Sequence, residues 1–308
     1  MTRLNRRTLL AGALATAPLV VLPACAGAAT AGPRPTTTTN AGPDRAVIRQ
    51  LKEIEAAFAG RIGVRAFRTD RGPVIDYRAD ERFALLSTFK ALVGAAILRR
   101  ARQTDPGLMS KLITYTAADL LPNSPITEQH VDTGMTVSAL CDATIRYSDN
   151  AAANLLLREL GGPSGITRFA RSLGDPHTRL DRWETDLNTN LPGDERDTTT
   201  PGDMANNLEK LVLGPALAKP DRTQLTDWLV RNTTGDKRIR AGLPTGWKVG
   251  DKTGTGDYGS ANDVAVAWPP DAAPLVIAVY TTGTTPESVS DDAVVADIAR
   301  VVSGALYR

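Results

Sequence analysis

The chain has 308 residues, 42% apolar and 23% charged, with 36 Lys and Arg against 34 Asp and Glu. That composition allows a large core in one or two closely packed domains and excludes a fibre or a coiled coil. Three of the cations (Arg3, Arg6, Arg7) lie in a leader, which leaves 33 of the 36 against 34 acids, a nearly neutral body without the concentrated basic face of a nucleic-acid binder.

The first 25 residues read as an export leader. Arg6-Arg7 precedes a short, Ala-rich apolar stretch to Leu22, which fits a signal h-region better than a membrane span. The twin arginines point to the Tat route. Leu22-Pro23-Ala24-Cys25 resembles a lipobox, in which Cys25 would be lipidated and anchor the mature chain to the membrane; cleavage at Ala24-Cys25-Ala26 without lipid is the alternative. Residues 26–43 have too little apolar surface to order themselves and are expected to form a flexible tether.

From Asp44 the apolar residues Val47, Ile48, Leu51, Ile54 and Phe58 recur at helical spacing, and Gly60 ends the run. Strands follow: Ile62, Val64 and Ala66 alternate, and Gly72-Pro73 turns the chain into Val74–Tyr77. Helical segments are expected at 88–101, 136–146, 151–160, 165–173, 201–213 and 222–231. Strand signals return at Trp247–Asp251, Asp263–Trp268 and Leu275–Thr281, and Asp291–Leu306 closes as an amphipathic helix. Strands at both ends with helices between them predict an α/β (α+β) fold. One antiparallel sheet, flanked by terminal helices, occupies about 44–80 and 235–308, an all-helical part occupies about 87–234, and a binding cleft lies between them. The two histidines, His130 and His177, are too few for a catalytic zinc site, and no metal-binding spacing occurs. Cys141 lies in an amphipathic helix, where a buried free thiol is expected.

Three short motifs carry chemistry. Ser87-Thr88-Phe89-Lys90 sets an amine one helical turn after a hydroxyl, so a weak nucleophile has a base on its own face. Ser148-Asp149-Asn150 falls between two predicted helices, where Ser, Asp and Asn also serve as caps. Lys252-Thr253-Gly254-Thr255 follows a predicted strand, and Gly254 allows a ligand to approach the backbone closely. Each motif alone is weak; their order and separation together are not. A fourth stretch, Arg182-Trp183-Glu184-Thr185-Asp186-Leu187-Asn188, sets a carboxylate four residues before an amide in an E-x-x-L-N pattern.

With these four elements the sequence resembles the penicillin-recognising serine enzymes, and within them the class A β-lactamases of actinobacteria, from about Asp44 to the C-terminus. The resemblance implies a serine β-lactamase/transpeptidase-like fold and hydrolysis of penicillins and cephalosporins through an ester on Ser87. It makes Ser87, Lys90, Ser148 and Glu184 catalytic and the backbone N–H groups of Ser87 and Thr255 the oxyanion hole. Asn150, Asn188, Lys252, Thr253, Gly254 and Thr255 become substrate-binding, and Arg182 and Asp197 the pair that staples the Ω-loop. Lys90 and Glu184 are alternative acylation bases. The only partners it implies are small β-lactams: no cofactor, metal or nucleic acid, and an exported monomer that meets the membrane only through Cys25.

Departures from the pattern are informative. Ala261 stands where many members place an arginine, so Arg238, which matches an alternative position, is expected to hold the substrate carboxylate. Leu86 and Gly256 replace a disulfide of certain carbapenemases, and Gly94 stands opposite Cys141 where some relatives have its partner. The D-Ala-D-Ala peptidases share the first three motifs, and Glu184 is what separates this chain from them. A non-catalytic sensor would have no use for Glu184.

Overall fold

The structure is a computed structural model that describes residues 43–308; the leader, Cys25 and the tether up to residue 42 lie outside the described residues. The described residues start with helix α1 (Pro43–Phe58), then β1 (Arg61–Arg68) and β2 (Val74–Tyr77), and return at the far end with β7 (Lys248–Gly256), β8 (Ser260–Trp268), β9 (Leu275–Thr282) and helix α9 (Asp292–Leu306). These strands form an antiparallel sheet in the order β2-β1-β9-β8-β7. The two chain ends meet at its centre, where β1 pairs with β9 from Arg61↔Thr282 to Arg68↔Leu275.

Successive residues of a strand point to opposite faces, and in β9 both faces are covered. Leu275, Ile277 and Val279 join Val47 and Leu51 of α1 and Val295, Ile298 and Val302 of α9 in one core. Val276, Ala278 and Tyr280 face the helices inserted between β2 and β7 and belong to a second core. That helical block comprises α2 (Phe89–Gln103), α3 (Val137–Arg146), α4 (Asn150–Glu159), α5 (Ser164–Ser172), α6 (Pro201–Val212) and α7 (Lys219–Val230). Its axis is α2, where every residue from Phe89 to Leu98 is buried. A helix buried all round belongs in a core, and α2 therefore holds its N-terminal end, Lys90 included, in a fixed place between sheet and helices.

Several boundaries differ from the sequence reading, each for a physical reason. β7 does not stop at Asp251 but runs through Lys252–Gly256, paired with β8 from Lys252↔Val264 as far as Gly256↔Ser260. The apolar alternation ends there while the ladder continues, because buried polar groups are satisfied: Asn262 Nδ2 donates to Ala84 O at 2.8 Å, and Asn262 Oδ1 accepts from Thr281 N at 3.1 Å. α7 begins at Lys219, three residues early, on a first turn with Pro220 near its start and little apolar content. Five short elements had no sequence signal: α8 (Ile239–Gly242), the β4 (Leu112–Ile113)/β5 (Met135–Thr136) pair, and the β3 (Phe83–Ala84)/β6 (Thr198–Thr199) pair. The last of these ties the approach to Ser87 to the exit of the 182–197 loop, helped by Leu85 N donating to Asp197 O at 2.8 Å.

Candidate active site

Ser87 sits in a tight 3₁₀ turn (Leu86–Thr88) that leads into α2. Leu86 takes φ +48°, a left-handed conformation costly for a branched side chain, and Ser148 takes φ +56°. The turn is braced from beneath: Thr88 Oγ1 donates to Leu85 O at 2.6 Å and lies 3.0 Å from the buried Tyr280 hydroxyl. β7 passes close to it. A Cβ on Gly254 would lie 3.1 Å from Ser87 N and 2.9 Å from Leu86 Cβ, and one on Gly256 would lie 2.7 Å from Asn188 O. Both glycines are thus required by close backbone approach. The Leu86 and Gly256 positions noted for their missing disulfide do lie against each other, with Leu86 Cδ2 at 2.4 Å from where the Gly256 Cβ would be. Likewise Gly94 faces Ile145, and Cys141 is a buried free thiol whose pKa burial pushes up.

Lys90 is wholly buried, one turn into α2. Its Nζ donates to Ser87 Oγ at 2.9 Å and to Ser148 O at 2.9 Å, with Asn150 Oδ1 also in contact and Ser148 Oγ at 3.4 Å. Glu184 Oε1 lies 2.9 Å from the same nitrogen, with both side chains out of solvent. Burial lowers the Lys90 pKa, and the Glu184 carboxylate pulls in the opposite direction. Three protons cannot serve all of these oxygens, so Glu184 Oε1 is left without a well-directed hydrogen bond, and Asn188 Oδ1 is likewise buried and unpartnered. Asn188 Nδ2 donates to Glu184 Oε2 at 2.6 Å.

Asp149, between Ser148 and Asn150, caps α4 through Ala152 N (2.9 Å) and holds the facing loop through Ile126 N (3.0 Å) and Thr127 N (2.9 Å). Across the cleft Lys252 Nζ donates to Ser148 Oγ at 3.1 Å and to Thr253 O at 2.8 Å. Burial, then the nearby Lys90 cation, bring the Lys252 pKa down to about 7, against the pull of Asp251 and Asp263. Asp263 is itself raised well above the carboxylate range by burial and by Asp251.

Arg238 is nearly buried behind the Lys-Thr-Gly-Thr strand. It donates to Gly254 O and Asn262 O (both 2.7 Å), to Thr255 Oγ1 (2.7 Å) and, through Nε, to Asp292 Oδ1 (2.7 Å). Arg240 points elsewhere, to the buried Asp251 (2.6 Å) and to Leu229 O and Val230 O. Arg182 Nε meets Asp197 Oδ2 at 2.5 Å, and Asp197 Oδ1 accepts from the backbone N–H of Asp181 (2.7 Å) and Arg182 (2.9 Å), which closes the neck of the loop that carries Glu184.

These groups surround a cavity of about 330 Å³ lined by Ser87, Ser148, Asn150, Asn188, Arg238, Thr253, Gly254 and Thr255. Two further lining residues, Asn123 and Thr234, escaped the sequence reading, as did Asn154, which supports Glu184 from behind. Thr234 Oγ1 lies 2.5 Å from Thr253 Oγ1, and Asn123 Nδ2 donates to Ser148 O at 3.0 Å. Each is a single polar residue in a loop or on a helix, so only an offset to a known motif could have singled it out.

The sheet-and-helix frame with a buried Ser-Lys pair at its cleft defines a serine hydrolase of the penicillin-recognising class. The sequence profile described as the β-lactamase enzyme family matches residues 46–306. The chain belongs to that family, and within it to the class A β-lactamases. It is 52% identical over 305 residues to the β-lactamase AST-1 of Nocardia asteroides, covering 99% of this chain and 97% of that one. The crystal structure of a β-lactamase from Streptosporangium roseum superposes with TM-score 0.84 at 50% identity, covering 85% of this chain and 98% of its own. A reconstructed class A enzyme, the last common ancestor of Gram-negative bacteria, gives TM-score 0.82 at 54% identity over 85% of this chain and 100% of its own.

Proposed function

We propose that this enzyme hydrolyses penicillins and cephalosporins in two steps through an ester on Ser87. Ser87 Oγ attacks the lactam carbonyl while the N–H groups of Ser87 and Thr255 receive the developing oxyanion. The Ser87 proton moves to Lys90 or, through a water, to Glu184. Because Lys90 touches both Ser87 Oγ and Glu184 Oε1, the two routes draw on one connected set of groups. Ser148, held by Lys252 at 3.1 Å, returns a proton to the ring nitrogen as the C–N bond breaks. Arg238, Thr253 and Thr255 take the substrate carboxylate, and Asn150 takes the side-chain amide.

The observation that carries the second step is a pair of buried acceptors that lack a directed hydrogen bond: Asn188 Oδ1, and Glu184 Oε1, which the Lys90 cation faces at 2.9 Å. A water donates two protons, so one molecule can satisfy both oxygens and stand ready to attack the ester, giving its proton to Glu184. A peptidase on this scaffold would stay blocked at the ester for want of such a base. The test is intact-protein mass spectrometry of Glu184→Ala after exposure to benzylpenicillin. A long-lived adduct at the mass of enzyme plus penicillin is expected; full turnover without adduct removes Glu184 from deacylation.

The site residues work outside the cytoplasm in this reading, with export through Arg6-Arg7 and anchoring by a lipid on Cys25. Replacing both arginines by lysine should keep the protein in the cytoplasm. A mature N-terminus without lipid would refute the anchor.

A further inference from the structure

Far from the cleft, the C-terminal half of α2 and the start of α5 border a concave groove of about 270 Å³ lined by Arg99, Arg100 and Arg168 over Ala96 and Phe169. At 1.5 Å of rise per residue, Arg99 stands roughly 14 Å along the helix from Lys90. We infer that this groove is a binding site for a phosphate-bearing anion.

Three observations support it. The first is a charge imbalance. Most of the described arginines elsewhere have carboxylate partners, among them Arg61 with Glu81 at 3.1 Å, Arg65 with Asp76 at 2.9 Å, Arg78 with Glu55 at 2.8 Å, Arg102 with Asp221 at 2.9 Å, and Arg158 with Asp119 at 2.8 Å. Among the described residues Arg99 and Arg168 have none, and Arg100 has only Asp105 at 3.8 Å. Burial alone lowers the Arg99 pKa, with no carboxylate to oppose it.

The second is preorganisation. Arg99 stacks 4.2 Å above the Phe169 ring and donates to Ser172 Oγ at 2.7 Å. Arg168 donates to Ser164 Oγ at 2.9 Å and Leu160 O at 3.3 Å, and Arg100 to Glu159 O. Side chains already held lose less rotamer freedom when a ligand arrives. The third is shape. Planar guanidinium forks suit phosphate oxygens, and three forks around one hollow suit a group with several equivalent oxygens better than a carboxylate with two.

The test uses the purified protein with inorganic pyrophosphate as the probe, read by isothermal calorimetry. Arg99→Gln/Arg168→Gln should weaken binding at least about tenfold, as expected for losing charged hydrogen bonds. Arg49→Gln on α1, where Arg49 lies far from the groove in sequence and pairs with Glu53 at 3.8 Å, should change nothing. Because the catalytic cleft is itself cationic, the titration is repeated on Arg238→Ala. Binding that disappears there but survives the double substitution lies in the cleft and overturns the inference, as does no binding at all. A second arm uses vesicles of phosphatidylglycerol and phosphatidylcholine. Sedimentation with them that pyrophosphate competes away, and that the double variant lacks, identifies a lipid headgroup as the source. Pyrophosphate binding without sedimentation identifies a soluble phosphate.

Discussion

Asn154 grips both backbone polar groups of Glu184: its Nδ2 donates to Glu184 O at 3.0 Å, and its Oδ1 accepts from Glu184 N at 3.0 Å. A residue of α4 thereby fixes, from behind, the backbone that places a carboxylate beside Lys90. Asn154→Ala should leave two partly buried backbone groups unpaired, a cost of about 1–3 kcal/mol each at most. Deacylation should slow more than acylation, so that a burst of nitrocefin hydrolysis is followed by a slow steady state. Equal slowing of both phases would mean that Asn154 supports the fold alone.

Arg182→Ala tests the loop neck. The Asp197 side chain is 1% exposed, and removing the cation leaves it facing only backbone donors. Losing one partner of a buried pair costs about 3–5 kcal/mol where the loss is not relieved by water. Trypsin should cut after Arg196, its one site in residues 183–196, faster in the variant than in the parent. Unchanged cleavage would place the closure elsewhere, in the β3/β6 pair.

The two neighbouring arginines should fail differently. Arg238 lines the cavity, and a charge-assisted bond to a substrate carboxylate is worth about 1.5–3 kcal/mol, so Arg238→Ala should lower kcat/KM about 10- to 150-fold. Arg240 instead neutralises the fully buried Asp251. Arg240→Ala should lower the unfolding midpoint in urea while kcat/KM of the folded fraction stays within about twofold. The reverse pattern would transfer the anchoring role to Arg240.

With its pKa near 7, Lys252 is charged below that pH and neutral above it. Attraction for an anionic substrate therefore weakens on the alkaline side, and KM for benzylpenicillin should rise as pH passes through about 7. For stability the sign is as follows. Between about 7 and the ordinary 10.5 the unfolded chain binds a proton on this lysine that the folded chain does not. Stability from this group therefore grows with rising pH across that window and is lost as pH falls through 7. Urea titrations at pH 6 and 9, on the parent and Lys252→Met, check this: equal pH dependence in both would mean that Lys252 does not titrate there.

The parts of this molecule legible in its sequence are those where a periodic pattern or a spaced motif exists. The apolar repeat of α1 and the alternation of Ile62, Val64 and Ala66 mark elements whose buried faces are now seen. The four motifs name groups that the fold brings around one cavity. What stayed hidden is polar and long-range. Lys252–Gly256 continues a strand although its residues carry no apolar alternation. Thr234 meets Thr253, and Asn154 meets Glu184, across loops whose path no local pattern fixes. The cis peptide between Glu184 and Thr185 likewise has no sequence signature.

The pairing of β1 with β9 joins the first strand to the last. In the order of synthesis, β1 leaves the ribosome with only α1 and β2 for company, and its inner neighbour is made after the whole helical block. Contacts so distant in sequence make folding slow and leave apolar strands uncovered in the meantime. Lys252–Thr255 depends on the same event, because β7 joins the sheet through β8, which itself rests on β9. A nascent chain that stalls before Leu275 thus holds every motif residue and still lacks the wall that faces Ser87. Appearance of activity during translation should coincide with release of the finished polypeptide, which makes this enzyme a reporter of completed chains rather than of chains begun.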